Sequence, residues 1–356
     1  MPFIESQPAE AAAIVPFSIP PELEAHEPAE HRGTSRDDVR LLVTDGVHGA
    51  RHAQFYTLAD MLVPGDLLVF NDSMTFPAAL RATHETSEEI VLHFAPLQSR
   101  EQTGDARAET ALVEPRRAKV QPGDRLALPG GGSIALAGLR RGSRRLWNAT
   151  LALPLSYHAY FARYGMPIAY PHSRKDLPLD AYQTTYARML GSSEMPSAGR
   201  PFTRAVFDRL SARGIEVATV TLHAGLSSEE RDELPIDEWR EVPLLTAAAI
   251  RRAKKRGSRI IAVGTTVVRA LESSLDRMQR IISSRGWTGL HITPDRPMRV
   301  VAALLTGFHE PASTHLSILE SIAGRRHVED AYREALSGRY LWHEFGDVHL
   351  LLPSRV

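Results

Sequence analysis

The 356-residue sequence contains no cysteine. That excludes disulfides, thiolate zinc sites, iron–sulfur clusters and cysteine nucleophiles together. Lysine is scarce: only Lys119, Lys175, Lys254 and Lys255 occur, and every other basic side chain is arginine. Arginine suits forked contacts to phosphate and carboxylate, although an arginine-favouring codon usage explains the bias equally well. Neither sign of charge is in excess, since Lys+Arg and Asp+Glu both number 42. A uniformly basic nucleic-acid coat protein is therefore disfavoured, while a local basic face stays open. No apolar run approaches the ~20 residues of a membrane-spanning helix. Residues 1–15 carry Glu5 and Glu10 and lack both a basic start and a long apolar block, so they read as a disordered tail and not a secretory signal. A cytoplasmic protein with no membrane contact and no obligate protein partner is expected.

What is present is an ordinary globular mixture, 43% hydrophobic and 24% charged, in a chain long enough for one large or two ordinary domains. Pro20-Pro21 and Pro28 prevent long regular structure early on, and order is expected to begin at the strand Leu41-Leu42-Val43. Phe55 to Leu62 leads to the turn Pro64-Gly65-Asp66. Leu67 to Phe70 then reads as a buried strand stopping at the polar pair Asn71-Asp72.

From Pro77 to Pro154 the texture changes. Short runs at Ile90–Phe94, Arg125–Leu128, Ser133–Leu136 and Trp147–Leu153 are separated by Pro/Gly turns, the pattern of a small barrel or sandwich. Residues 77–154 are accordingly expected to be an inserted β-rich, barrel-like domain. The α/β main domain is assigned to 16–76 and 155–356. Arg140, Arg141, Arg144 and Arg145 fall on a turn of the insertion. A solvated loop is the plainer reading of them, and an RNA-binding contact to phosphate the sharper one.

The remainder alternates strands with helices. Thr203 is placed to cap a helix through Val206 and Leu210, ending at Gly214, before the strand Val217–Leu222. Thr246 is expected to cap Ala247–Arg256, ahead of the strand Arg259–Val263. Gly264-Thr265-Thr266 opens a helix with apolar positions at Val268, Leu271, Leu275 and Met278. Val300–Leu305 follows as a strand, and Ser313 or Thr314 caps a helix ended by Gly324. This alternation predicts a mixed or parallel sheet with helices packed on it.

Ligands of such sheets collect beyond the carboxyl ends of the strands. Three strand ends bring chemistry there: His223 with Ala224-Gly225, Gly264-Thr265-Thr266, and Thr306-Gly307-Phe308-His309. A helix start such as Gly264-Thr265-Thr266 offers N–H groups and hydroxyls to an anion, with Arg269 about one turn on. Its spacing is neither the dinucleotide fingerprint nor the P-loop. There is no Gly-x-Ser-x-Gly elbow and no His-Glu-x-x-His helix. His309 and His315 are poorly spaced for joint ligation on a helix, so no metal site is expected.

Several motifs occur in a fixed order. They are Gly65 to Asp72, Tyr182-Gln183-Thr184-Thr185-Tyr186-Ala187, Pro196-Ser197-Ala198-Gly199 with Phe202-Thr203, and Thr221-Leu222-His223. Val263 to Ser273, Phe308-His309 with Pro311 and Ser313-Thr314, Ala331-Tyr332 and Gly346-Asp347 complete the set. From about Pro16 to Leu352 the chain resembles the S-adenosylmethionine:tRNA ribosyltransferase-isomerase family of queuosine biosynthesis. The resemblance implies an α/β domain with a barrel-like insertion. It also implies an enzyme that moves the ribosyl part of S-adenosylmethionine onto the aminomethyl group of a 7-deazaguanine in tRNA. Epoxyqueuosine forms, and adenine and methionine leave. S-adenosylmethionine is then a co-substrate, and no prosthetic group or metal is implied.

Such chemistry needs a base to remove a proton made acidic by the sulfonium, and a histidine is a suitable one. On this resemblance His223 and His309 are the candidates for proton transfer. Gly264, Thr265, Thr266 and Arg269 would hold a carboxylate or phosphate, with Glu272 orienting Arg269. Asn71, Asp72, Ser313 and Thr314 join the expected substrate contacts. The chain also departs from the family's usual residues. Met74 stands for an arginine and Pro201 for a histidine. The Met-His stretch is replaced by Leu234 to Trp239, and Gly307 and Ala312 fall in a segment that is usually Asn-Phe-His-Leu-Pro-Lys. These losses imply weaker contact with tRNA. Two other readings stay open: a paralogue using S-adenosylmethionine or a related nucleoside with a different acceptor, and a non-catalytic RNA-binding module.

Overall fold

The structure is a computed structural model. It describes residues 17–84, 88–97, 108–116, 118–174, 176–227, 233, 236–311 and 313–353. The tail assigned to 1–15, position 312 and Leu234-Pro235 of the substituted stretch lie outside the described residues.

Order begins well before Leu41. The prolines do block helices and strands, but Phe17 packs on Tyr332 and Trp342, and Leu23, Ala25 and Ala29 are buried. The segment is irregular and docked. β1 (Arg40–Thr44) and β2 (Ala50–Gln54) form a hairpin, and a 3₁₀ turn at Phe55–Met61 leads to β3 (Leu67–Asn71). All five residues of β3 are buried, as its unbroken apolar run requires of a strand covered on both faces. The short β4 (Ser73–Thr75) follows.

The next six strands are β5 (Ala79–Thr83), β6 (Glu89–Phe94), β7 (Ala108–Arg116), β8 (Arg125–Leu128), β9 (Gly132–Leu139) and β10 (Trp147–Ala152). They close into a barrel in the order β10-β7-β6-β5-β8-β9, the expected barrel-like insertion. Leu80, Leu92, Val113, Ile134 and Leu151 fill its core, and α1 (Tyr157–Tyr164) adds Tyr157, Tyr160 and Phe161 to the same cluster.

The chain continues through β11 (Met189–Ser192), α2 (Arg204–Ala212), β12 (Glu216–Leu222), β13 (Glu238–Val242), α3 (Leu244–Lys255) and β14 (Ile260–Val263). After these come α4 (Thr265–Glu272), β15 (Ser284–Thr288), β16 (Ala303–Gly307), α5 (His315–Ala323), α6 (Arg325–Ser337) and β17 (Val348–Leu351). The main sheet runs β15-β13-β12-β3-β14-β16-β17-β1-β2. Its centre, β12-β3-β14-β16, is parallel, and antiparallel partners flank it, so the sheet is mixed, as the alternation predicts. No helix among the described residues is long and apolar enough to cross a membrane.

Local expectations fare unevenly. Thr203 caps α2 by accepting from the Val206 amide at 3.3 Å. Thr246 is no cap: α3 starts at Leu244 behind Pro243, and the Thr246 hydroxyl donates to the Thr219 carbonyl. α4 stops at Glu272, short of Leu275 and Met278, because Ser273 and Ser274 each turn a hydroxyl back to a carbonyl of the preceding turn at 2.7 Å. Met278 is then exposed. The strand expected at Val300–Leu305 is shifted to Ala303–Gly307.

Candidate functional site

Strand ends of the main sheet and one side of the barrel enclose a cavity of about 1030 Å³. Its floor is the start of α4 (Gly264, Thr265, Thr266), the end of β16 (Thr306 to His309) and the chain beyond β12 (Ala224 to Ser227). The barrel contributes Glu114, Arg116 and Arg145, and Tyr170, His172, Glu194, His343 and Glu344 complete the wall. Small-molecule sites occupy roughly 300–1,000 Å³, so this volume has room for a nucleoside and a second base.

Of the residues expected from sequence, Gly264, Thr265, Thr266, Arg269, His309, Ser313 and Thr314 meet at this cavity. Gly264 has φ +94, a conformation glycine adopts without strain. It turns β14 directly into α4, so the first helical N–H groups lie at the cavity edge. Arg269 is there, but its charge is answered internally. It is ion-paired with Glu238 and donates to the Leu290 carbonyl at 3.1 Å. Burial pushes the Glu238 carboxyl up, against the pull of Arg269. Glu272 does not orient Arg269. Its carboxylate accepts from the Arg299, Val300 and Val301 amides at 2.8–3.2 Å, away from the cavity.

Asn71 and Asp72 are also outside the cavity wall. Asn71 clips β3 to β12, donating to the Leu222 carbonyl at 2.8 Å and accepting from the Leu222 amide at 2.9 Å. Asp72 accepts from the Thr221 hydroxyl at 2.7 Å and pairs with Arg188 at 3.3 Å. Asn71 also donates to the Thr266 hydroxyl at 3.3 Å, which ties it to the start of α4 at the cavity.

The two histidines separate. His309 lines the cavity, with Nε2 2.8 Å from the Thr306 hydroxyl and Nδ1 3.2 Å from Nδ1 of His315. Burial, together with His315 and His349, holds it well below the usual histidine range, so it is neutral. His223 does not line the cavity. Its ring stacks on Trp239, its Nδ1 lies 2.8 Å from the Ser73 hydroxyl, and burial lowers its pKa to about 4. The backbone of Gly191 (φ +155) lies flat against this ring, where a Cβ would come within 2.7 Å of it.

The four arginines of the barrel turn separate as well. Arg141 and Arg144 are exposed and Arg140 is half-buried on the turn joining β9 and β10. Arg145 turns inward. It pairs with Glu114 and Glu233, each at 2.8 Å, and donates to the Ser227 carbonyl at 2.6 Å. It therefore joins the barrel to the cavity wall.

Sequence reasoning missed several wall residues. Glu194 accepts from the Ser227 amide at 2.9 Å and from the Tyr170 hydroxyl, and burial pushes its carboxyl up. His172 pairs with Glu344 at 2.7 Å and stacks on His343 with centroids 3.7 Å apart. No sequence signal marks the ion pair, because its partners are 172 residues apart. His315 had a signal: its six-residue separation from His309 is unsuited to a helix, yet across a strand end and a helix start it brings the rings to 4.7 Å. Among the described residues no group of three or more His, Asp or Glu side chains is arranged to hold a metal.

A family profile described as "Queuosine biosynthesis protein" matches residues 14–351. The S-adenosylmethionine:tRNA ribosyltransferase-isomerase of Symbiobacterium thermophilum is 36% identical, over 94% of this chain and 98% of its own length. The protein of the same name from Thermotoga maritima is 35% identical, with 94% and 98% covered. The crystal structure of the S-adenosylmethionine tRNA ribosyltransferase from Thermotoga maritima superimposes with a TM-score of 0.52 at 29% identity, covering 94% of this chain and 99% of that one. The chain belongs to the queuosine biosynthesis protein family.

Proposed function

We propose that the protein is an S-adenosylmethionine-dependent tRNA ribosyltransferase-isomerase. It transfers and rearranges the ribosyl group onto a 7-aminomethyl-7-deazaguanine in tRNA, gives epoxyqueuosine, and releases adenine and methionine. The observation that carries this reading is the cavity at the strand ends, sized for two substrates, in a chain that matches relatives bearing that name over nearly its whole length. That match disfavours a different acceptor and a non-catalytic RNA-binding module. A cytoplasmic setting, where tRNA is found, accords with it.

The start of α4 is the carboxylate subsite: N–H groups at the helix start and the Thr265 and Thr266 hydroxyls meet the methionine carboxylate. Ser313 and Thr314, also in the wall, contact the sugar or the base. Glu24, Glu310 and Glu344 also line the wall and attract the cationic sulfonium. His309 takes the proton from the carbon beside sulfur. Burial keeps it unprotonated; with Nδ1 against His315, Nε2 is freed for the substrate when the Thr306 hydroxyl turns away. Residues 77–154 serve as an inserted domain between 16–76 and 155–356, and the barrel is the second wall of the site.

Incubation with S-adenosylmethionine and tRNA carrying 7-aminomethyl-7-deazaguanine, followed by chromatography, is the test. RNA-dependent release of adenine and methionine is expected. S-adenosylhomocysteine as the product, or no adenine at any RNA concentration, overturns the reading.

A further inference from the structure

We propose that two rings at the edge of the main sheet, Trp239 and Trp287, form a base-stacking surface for unpaired nucleotides that flank the reacting base of the RNA substrate, with His223 held between Gly191 and Trp239 as their buttress. The inference rests on the reading above that the acceptor is an RNA.

The row follows from strand register. Trp239 on β13 stands directly opposite Trp287 on β15. On the other side the His223 amide donates to the Trp239 carbonyl at 2.9 Å, continuing the β12–β13 ladder by one residue. Residues opposite each other share a face of the sheet, with Cβ atoms about 4.5–5.5 Å apart. The His223 and Trp239 rings already stack, with centroids 5.2 Å apart and planes 20° apart. Glu238 and Arg240, the alternate residues of β13, turn to the opposite face, where they meet Arg269 and Ser273 of α4 and its C-terminal end. The rings therefore occupy the side that α4 does not cover. All three are half-buried, and β15 is the terminal strand of the sheet, so among the described residues no strand extends the row beyond Trp287.

The row also adjoins the cavity along the chain. From His223 the chain runs through Ala224 and Gly225 into the cavity wall. On the neighbouring segment the Ser192 hydroxyl binds both Ser73, the partner of His223, and the Ala224 amide, directly before Ser193 and Glu194 of the wall. A base must leave its stack to be modified in a cavity, which leaves the adjoining bases unstacked at the rim. Ring faces accept any base, and that is the need at positions flanking a single modified one. Arg188 has its side chain 70% exposed, and Arg285 shares the face of Trp287. Each has an acidic neighbour, Asp72 and Glu241, so stacking and not phosphate attraction carries the affinity here.

Tryptophan fluorescence reads the row directly, because the other two tryptophans, Trp147 and Trp342, are only 9% and 0% exposed. Titration of the full-length protein with tRNA carrying 7-aminomethyl-7-deazaguanine is expected to quench its emission. Trp239→Ala and Trp287→Ala each weaken RNA affinity by about 5- to 150-fold, the range for removal of one stacked base. S-adenosylmethionine affinity stays unchanged, and Trp239→Phe and Trp287→Phe keep most of the RNA affinity. Unchanged RNA affinity in both alanine variants overturns the stacking surface while leaving an RNA substrate in place. Absence of RNA binding by the wild-type protein overturns the RNA reading itself, and the surface with it. If an alanine variant also loses S-adenosylmethionine binding, its phenylalanine counterpart decides: retained RNA affinity supports the row, and abolished affinity with intact S-adenosylmethionine binding overturns it.

Discussion

Arg269 occupies the cavity wall with its guanidinium held by Glu238 and by backbone carbonyls. Removing one partner of a buried ion pair leaves the other charge uncompensated, at a cost of about 3–5 kcal/mol. Arg269→Ala is therefore expected to lose about that much stability in urea unfolding. Arg269→Met with Glu238→Met should recover a large part of it. Full stability of Arg269→Ala with abolished S-adenosylmethionine affinity would return this side chain to ligand binding. The buried histidines give a second residue-level expectation. His309 is held well below the ordinary value, His315 near 4 and His349 near 3, chiefly by burial. Their folded values lie below the unfolded one, so the unfolded chain binds more protons under about pH 6.5. Stability is full above that pH and falls as pH drops towards the folded values, by up to about 1.4 kcal/mol per pH unit for each histidine. Urea melts at pH 7.5, 6.5 and 5.5 should show this, and His309→Asn should flatten the slope by one histidine's share. Sequence position alone marked His309 and His223 alike, as histidines after apolar strands. Which side of the sheet each ring takes depends on partners, Thr306 and His315 for one and Gly191 and Trp239 for the other, that lie on other elements or across a chain turn.

The polar end of β3 shows how an element can be legible while the role of its residues is not. The buried run Leu67–Phe70 and its stop at Asn71-Asp72 are plain in the sequence. The stop reflects side chains that close the β3–β12 ladder. Asn71→Ala leaves the Leu222 amide and carbonyl without this partner and should cost about 1–3 kcal/mol in unfolding free energy. Because Asn71 also donates to the Thr266 hydroxyl at 3.3 Å, S-adenosylmethionine affinity measured by calorimetry should fall as well, and an unchanged affinity would show that this contact does not position the start of α4. Elements with strong local signals were legible, such as α2 with its Thr203 cap and the parallel strands with β-branched cores. β5 and β7 were not, because Ala79-Leu80-Arg81-Ala82-Thr83 has weak strand propensity and β7 carries Glu109, Glu114 and Pro115. Closure of the barrel, and not local preference, makes them strands. α4 errs in the opposite direction: the apolar period continued past Glu272, but the two serines ended the helix.

At the scale of the molecule, a charge-neutral chain is proposed to bind a polyanion, so RNA attraction must be local. Arg145 is withdrawn into the barrel junction, leaving Arg140, Arg141 and Arg144 on the turn. Met74, Pro201 and Gly307 supply no charge where the family's usual residues are basic, histidine or polar. Filter binding to tRNA across a salt series should therefore give a shallow log–log slope. Arg140→Ala with Arg141→Ala should reduce it further, by roughly 0.7–0.9 for each phosphate no longer neutralised; a steep slope that survives both substitutions would place the phosphate-binding side chains elsewhere. The mixed sheet, the barrel and the family were all legible from ordered motifs. The cavity was legible only on its strand-end side, from Gly264 to Thr266 and at His309, since the rest of its wall is assembled from the barrel, the 168–172 segment and residues near the C-terminus. The most direct measurement follows the two halves of S-adenosylmethionine with separate labels, one on the ribose and one on the methyl group, during reaction with tRNA carrying 7-aminomethyl-7-deazaguanine. Ribosyl transfer at this cavity predicts ribose label in the RNA and methyl label in free methionine. Methyl label in the RNA, or neither label there while S-adenosylmethionine is consumed, would contradict it.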